Sequence, residues 1–191
     1  YFFLNNREID EVGKLAGKKI AVFDYDKSQS QLVQRVGAQA VPSDISNFGQ
    51  KFNNGVVDII AAPATAYRPL ELYRGLGTKG GIPDFVLAQV FLQVVIRKER
   101  FPDGYGQQSR QYLSSQFDRV LAIVQRYESD INPKYWLHIP DTDRPRYFAL
   151  MRSARIDLTK NGTYDKRMMS LLKKVRCQIE PQSAECSENL E

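Results

Sequence analysis

Long apolar runs, blocks of like charge and metal-ligating side chains are all scarce in this sequence, and each shortage removes a class of function. No run of about 18 apolar residues occurs, so the sequence offers no membrane-spanning helix. One histidine and two cysteines are too few for a zinc site built on sulfur and imidazole. The histidine, His138, lies in Lys134-Tyr-Trp-Leu-His-Ile-Pro; no Ser or Cys nucleophile with elbow glycines can be paired with it, and it reads as structural. The net charge of +5 and pI near 9.2 would suit nucleic acid, but the lysines and arginines are scattered among 22 acids. That pattern is a solvated surface, with no nucleic-acid partner. The start at Tyr1 has neither an initiator Met nor a signal peptide, and a processed or truncated chain is expected. What remains is 191 residues, 42% hydrophobic, enough for one good core or two small lobes.

The informative stretch runs from Leu15 to Pro63. Lys19-Ile20-Ala21-Val22-Phe23 is an apolar strand introduced by the turn residues Leu15-Ala16-Gly17-Lys18 and closed by Asp24-Tyr25-Asp26-Lys27-Ser28. A helix carrying Leu32, Val33 and Val36 stops at Gly37. Gln39-Ala40-Val41 is a second strand, Asp44 to Phe52 a second helix, and Val57 to Ala62 a third strand, almost wholly apolar as in strands buried on both faces. Right-handed crossovers bring the carboxyl ends of successive parallel strands to one edge, where such sheets bind ligands. The candidate site is therefore Asp24 to Gln29, Pro42 to Asp44 and Pro63 to Arg68.

Elsewhere, residues 1–4 lead into a charged segment to Lys14 that suits an edge strand or hinge. Ala64 to Tyr73 reads as a helix broken near Pro69, and Gly75 to Gly81 as a loop. From Phe85 to Arg97 every even position to Ile96 is apolar, while the odd face mixes Phe85, Leu87 and Phe91 with Gln89 and Gln93. This predicts a strand of roughly 40 Å, long enough to cross from one lobe into another. Gln107 to Tyr127 predicts one long amphipathic helix whose stripe, Leu113, Phe117, Val120, Leu121, Val124 and Tyr127, must lie across a core. Asp143 is a candidate cap for a helix ending at Asn161-Gly162, and Asp165 starts a last helix. The formal glycosylation acceptor Asn161-Gly162-Thr163 coincides with that helix stop. Cys177 and Cys186 could clip a loose tail as a disulfide, implying an oxidising compartment; the alternative is two unpaired thiols. The expected organisation is a hinge or linker segment at 1–14, an α/β ligand-binding lobe with its crossing strand at 15–97, helices at 98–176 and the tail at 177–191. Too few strands follow for a second sheet, so part of a first lobe is expected to be missing.

Two motifs invite chemistry. Asp24-Tyr25-Asp26 after an apolar strand resembles the Asp-x-Asp signature of haloacid-dehalogenase-type phosphotransferases, in which one carboxylate attacks phosphorus beside Mg²⁺. That chemistry needs further carboxylates after a later strand, and here the third strand ends in Ala61-Ala62-Pro63. Asp26 or Ser28 capping the next helix is the simpler reading. Gly75-Leu-Gly-Thr-Lys-Gly80 matches the dinucleotide fingerprint by letter but follows a helix and precedes a strand, the reverse of what pyrophosphate binding requires.

The succession Leu15-Ala-Gly-Lys-Lys-Ile-Ala-Val, Val36-Gly-Ala-Gln-Ala-Val and Phe52-Asn-Asn-Gly-Val-Val-Asp-Ile, then Pro63 and a Tyr-bearing helix, resembles the second lobe of periplasmic solute-binding proteins of the TRAP-transporter (DctP-like) type. It looks closer still to an uncharacterised group of solute-binding proteins whose tail carries pieces like Lys173-Lys-Val-Arg-Cys and Glu185-Cys. The resemblance implies a type II periplasmic-binding-protein-like α/β lobe with a mostly parallel sheet. It also implies a periplasmic location in a Gram-negative envelope, a small-molecule solute, membrane transporter subunits as partners, and neither cofactor nor metal. Position at or near the strand ends makes Asp24, Tyr25, Ser43, Asp44, Pro63, Thr65, Tyr67, Arg68 and Gln89 the residues expected to contact the ligand. Ala21 stands where that family usually has a carboxylate-clamping Arg, and Ala62 where an Asn precedes the Pro. Both departures argue against an organic acid and for a less polar or differently oriented solute. The expected function is non-catalytic solute binding; the alternatives are a Mg²⁺-dependent phosphohydrolase using Asp24 and Asp26, or a structural or interaction protein of the envelope.

Overall fold

The computed structural model describes residues 1–88 and 93–190. Strand β1 (Phe2–Leu4) is followed by β2 (Lys19–Phe23), helix α1 (Lys27–Arg35), β3 (Gln39–Ser43), α2 (Phe48–Asn53) and β4 (Ile59–Ala61). These strands form one sheet in the order β1-β4-β2-β3. β2 is parallel to both β3 and β4, with Ile20 opposite Ala40 on one side and Ile59 on the other, whereas β1 is the antiparallel edge. The parallel core expected from the apolar runs is therefore present, and the N-terminal segment closes the sheet as an edge strand. Asp26 caps α1 by accepting from the backbone N–H groups of Ser28 and Gln29, which satisfies two donors the first helical turn leaves open.

Two apolar clusters cover the sheet. One gathers Phe3, Phe48, Phe52, Ile60, Tyr67, Leu72 and Leu76; the other gathers Leu4, Leu15, Ile20, Val22, Val33, Ile59, Phe85 and Tyr147. Alternation along β4 divides Ile59 from Ile60, so each face receives one of them.

Several elements depart from the sequence reading. The broken helix of 64–73 is a 3-10 turn at Ala64–Ala66 followed by α3 (Tyr73–Leu76), which takes in Gly75 and Leu76. Pro69 lacks an N–H, and Glu71 has a left-handed φ of 50°, so one continuous helix cannot form. A second, two-stranded parallel ladder pairs β5 (Ile82–Pro83) with a strand at Trp136–Leu137; nothing in the alternation announced it.

The long crossing strand is not borne out among the described residues. Residues 85–88 and 93–97 lie in no strand, Val94 and Val95 are 76% and 88% exposed, and residues 89–92 lie outside the description. Alternating apolarity marks a segment able to present two faces, but a strand also needs a neighbour to take its backbone hydrogen bonds. Phe85 instead packs its ring on Tyr147 and Phe148.

The expected single helix is two, α4 (Tyr105–Ser115) and α5 (Phe117–Ser129), broken at Gln116. The Ser115 hydroxyl donates to the carbonyl of Tyr112, a local alternative that weakens helix continuation. The stripe does not lie across a core within the described residues: Leu113, Phe117 and Val120 are each more than half exposed. After β6 (Trp136–Leu137) come α6 (Arg144–Lys160) and α7 (Lys166–Ile179). Asp143 precedes α6 without a side-chain cap bond, whereas Asp165 caps α7 through the N–H of Met168. Gly162, at φ +78°, takes the left-handed stop after α6. Cys177 and Cys186 are joined as a disulfide.

Candidate solute-binding edge

The carboxyl ends of β2, β3 and β4 open on one edge, because β2 runs parallel to both neighbours. Directly after β2, the Asp24 N–H donates to the carbonyl of Ser43 at 3.0 Å, which locks the first two strand ends together. Asp24 itself is exposed, and among the described residues its carboxylate engages no partner. Tyr25 is 70% exposed. One face of its ring lies on Phe23, with centroids 5.3 Å apart and planes 4° from parallel, and Phe23 in turn meets the edge of Phe48. An aromatic ring backed on one side and open on the other is thereby held at the end of β2.

The other sequence-chosen residues divide by task. Ser43 is buried, 3% exposed, and its hydroxyl donates to the Val41 carbonyl. The Asp44 carboxylate accepts from the Ser46 N–H and hydroxyl and from the Asn47 amide. The Ser46 bonds hold the Asp44 carboxyl below its ordinary range. Asp44 is therefore occupied in shaping the turn into α2. Pro63 is exposed at the end of β4 and Thr65 is half-buried in the following turn. Tyr67 is buried, 6% exposed, stacked on Phe3 and edge-on to Tyr73; burial pushes its hydroxyl pKa up. Arg68 pairs with Asp130 at 3.0 Å, tying this turn to the end of α5. Gln89 lies outside the described residues.

Sequence reasoning missed two residues at this edge. The Lys51 ammonium, reaching from α2, donates to the Pro42 carbonyl and lies 3.4 Å from the Ser43 hydroxyl. Ile45 is 72% exposed beside the end of β3. A lone Lys on a short helix carries no signal of where it points. An apolar residue between two polar turn residues was a signal that could have been read.

The carboxylates suggested for phosphoryl transfer do not converge. Asp26 accepts from the Ser28 N–H, the Ser28 hydroxyl and the Gln29 N–H, all at Oδ1, which serves the helix cap. No group of three or more His, Cys, Asp or Glu placed to hold a metal occurs among the described residues. The His138 Nδ1 is 2.8 Å from Asp84, which also accepts from Arg144.

The chain is a mixed α/β lobe with its parallel strand ends on one open edge, a fold shared with TRAP periplasmic solute-binding proteins. Solved structures agree. The chain matches a TRAP periplasmic solute-binding protein from Desulfovibrio salexigens with bound orotic acid at a TM-score of 0.63 and 15% identity, over 93% of this chain and 60% of that one. It matches a marine-metagenome TRAP solute-binding protein in complex with metahydroxyphenylacetate at 0.56 and 11%, over 85% and 54%. The family model described as solute-binding protein AdeT 1/2 matches residues 1–191, and the chain belongs to that family. It is 51% identical over 189 residues to the probable solute-binding protein AdeT1 of Acinetobacter baumannii, covering 99% of this chain and 62% of the relative. It is 26% identical over 183 residues to AdeT2 of the same organism, covering 96% and 77%. The chain thus spans under two thirds of the length of AdeT1 and of the Desulfovibrio protein.

Proposed function

We propose that this chain supplies one ligand-reading lobe, residues 15–97, of an extracytoplasmic solute-binding protein that acts without catalysis in the periplasm of a Gram-negative cell and delivers its solute to membrane transporter subunits. The observation that carries the reading is the common edge of β2, β3 and β4, with Asp24 and Tyr25 exposed on it, in a chain of a solute-binding family. Binding in this class works by population shift: a solute touching two lobes stabilises the closed form that the transporter recognises.

The groups at the edge favour a particular solute. Of the cations near the edge, Arg68 is engaged by Asp130 and Lys51 by the Pro42 carbonyl, while Lys27 is exposed at the start of α1. The exposed carboxylate is that of Asp24, and the open apolar surface is the Tyr25 ring together with Ile45. Ala21 and Ala62 add no hydrogen-bonding side chain. A ring-bearing solute with a cationic or donor group fits this inventory through stacking and cation–π attraction. The two structural neighbours hold ring-bearing acids; the ring is the feature this edge shares with them and the acid is not.

Titration of the isotopically labelled chain with benzamidine, benzyl alcohol and benzoate, followed by amide NMR shifts, tests the reading. Benzamidine is expected to move the Asp24 and Tyr25 signals, with the effect lost in Tyr25→Ala and reduced in Asp24→Asn. Preference for benzoate at the same residues would overturn the charge assignment alone. Shifts confined to other surfaces for all three probes would overturn the edge as the site.

A further inference from the structure

Helix α7 is docked inside out. Its half-buried positions are Met169, Ser170, Lys173, Arg176 and Cys177, one face at helical spacing, whereas Met168, Leu171, Val175 and Ile179 are exposed. The face turned inward is mostly polar, so apolar burial contributes little to holding this helix. What meets that face is the tail. The Glu185 carboxylate, 11% exposed, accepts from Arg176 of α7 through Nε at 2.8 Å and Nη2 at 3.1 Å, and from Arg155 of α6 at 3.1 Å. Glu188 repeats the arrangement, its carboxylate accepting from Arg152 of α6 at 2.7 Å and its carbonyl from Lys173 of α7. The Glu185 carboxylate thus bridges the two helices, and Glu188 bridges them with its carboxylate on α6 and its backbone carbonyl on α7. The disulfide joins the residues immediately after Arg176 and Glu185, so the covalent bond and the central ion pair are neighbours on both strands of the clip. Helix α6, by contrast, is anchored independently: Tyr147, Ala154 and Leu158 are buried, and Arg35 of α1 pairs with Asp157 and Ser153.

We infer that the Cys177–Cys186 disulfide and the Glu185 carboxylate form a redox-sensitive catch that holds α7 against α6, so that reduction frees α7 and the tail as a unit while the α/β sheet stays folded. The chemistry is thiol–disulfide exchange with an external dithiol: the dithiol gives up two electrons and two protons and closes its own disulfide, and Cys177 and Cys186 become two thiols. The closed loop holds the tail near Glu185's partners at high effective concentration. Opening a ten-residue loop is expected to raise the undocked population of α7 roughly 100-fold in the chain-entropy description.

Hydrogen exchange on the folded chain, with and without dithiothreitol, tests this. The expected result is a large gain in exchange over residues 166–190 on reduction, with residues 19–23 and 59–61 unchanged. The Glu185→Gln variant, its disulfide intact, is expected to show a smaller gain over the same residues. Cys177→Ser combined with Cys186→Ser is expected to match the reduced protein. Unchanged protection of α7 on reduction, loss of protection throughout the sheet, or no effect of Glu185→Gln would each overturn the inference.

Discussion

Replacing Asp58 by alanine removes a single carboxylate that stitches three strands, and its cost can be worked from the contacts. Asp58 lies just before β4. One carboxylate oxygen accepts from the Asn5 amide at 3.0 Å, beyond the end of β1, and the other from the backbone N–H of Lys19 at 2.8 Å, at the start of β2. Its backbone does the same work in parallel, donating to the Lys19 carbonyl and accepting from the Asn5 N–H, and those bonds survive the substitution. A hydrogen bond to a charged acceptor contributes about 1.5–3 kcal/mol net. Water can reach Lys19, which is exposed, so the two bonds together are worth about 2–3 kcal/mol rather than twice that. For a chain of this length the loss corresponds to a fall of roughly 5–10 °C in melting temperature. Asp58→Asn keeps one acceptor oxygen but turns an amide toward the other donor, and about half the loss is expected. Urea unfolding followed by far-ultraviolet circular dichroism measures both. An Asp58→Ala loss below about 0.5 kcal/mol, the range of an ordinary surface substitution, would refute the stitching argument.

Other perturbations have equally definite expectations. A Cβ on Gly80 would sit 2.4 Å from the Leu76 carbonyl oxygen and 2.7 Å from that of Leu4, backbone atoms that cannot swing away; Gly80→Ala is expected to cost about 3 kcal/mol in the same unfolding assay. Gly13→Ala, with nothing within 4 Å, is the near-neutral control. Phe52, fully buried, is expected to cost about 3–5 kcal/mol as alanine. The Arg176 hydrogen bond, against the opposing effect of burial, holds the Glu185 carboxyl below its ordinary 4.5, with charge attraction to Arg176, Arg155 and Arg152 assisting. A depressed folded-state pKa means the catch contributes its full stability above 4.5 and loses it as pH falls through the lowered value. Exchange of α7 amides, corrected for intrinsic rates, is therefore expected to rise in that acid range, and Glu185→Gln to remove the dependence.

The exposed apolar faces bear on how the chain is used. Phe117 and Val120 of α5 and Leu171 of α7 are more than half exposed. The apolar stripe of α5 is present, but periodicity says that a face is apolar and not what covers it. Residues 85–88 and 93–97 depart in a related way, since alternation reports two faces but a strand exists only beside another strand. The chain spans 62% of the length of AdeT1.

Local chemistry was sufficient wherever an element carries its own reason for forming. The apolar runs of β2 and β4, the Asp26 and Asp165 caps and the Gly162 stop follow from side chains a few positions apart. Tertiary structure alone decided which polar groups are spent and which are free. Arg68 reads as a free cation beside the candidate edge until the fold brings Asp130 to it. Tyr67 and Tyr25 both follow strands, yet one is sealed by Phe3 and the other open. Glu185 reads as one more acid in a loose tail until α6 and α7 bring two arginines to it. Burial and pairing depend on atoms far apart along the chain, and the fold brings them together.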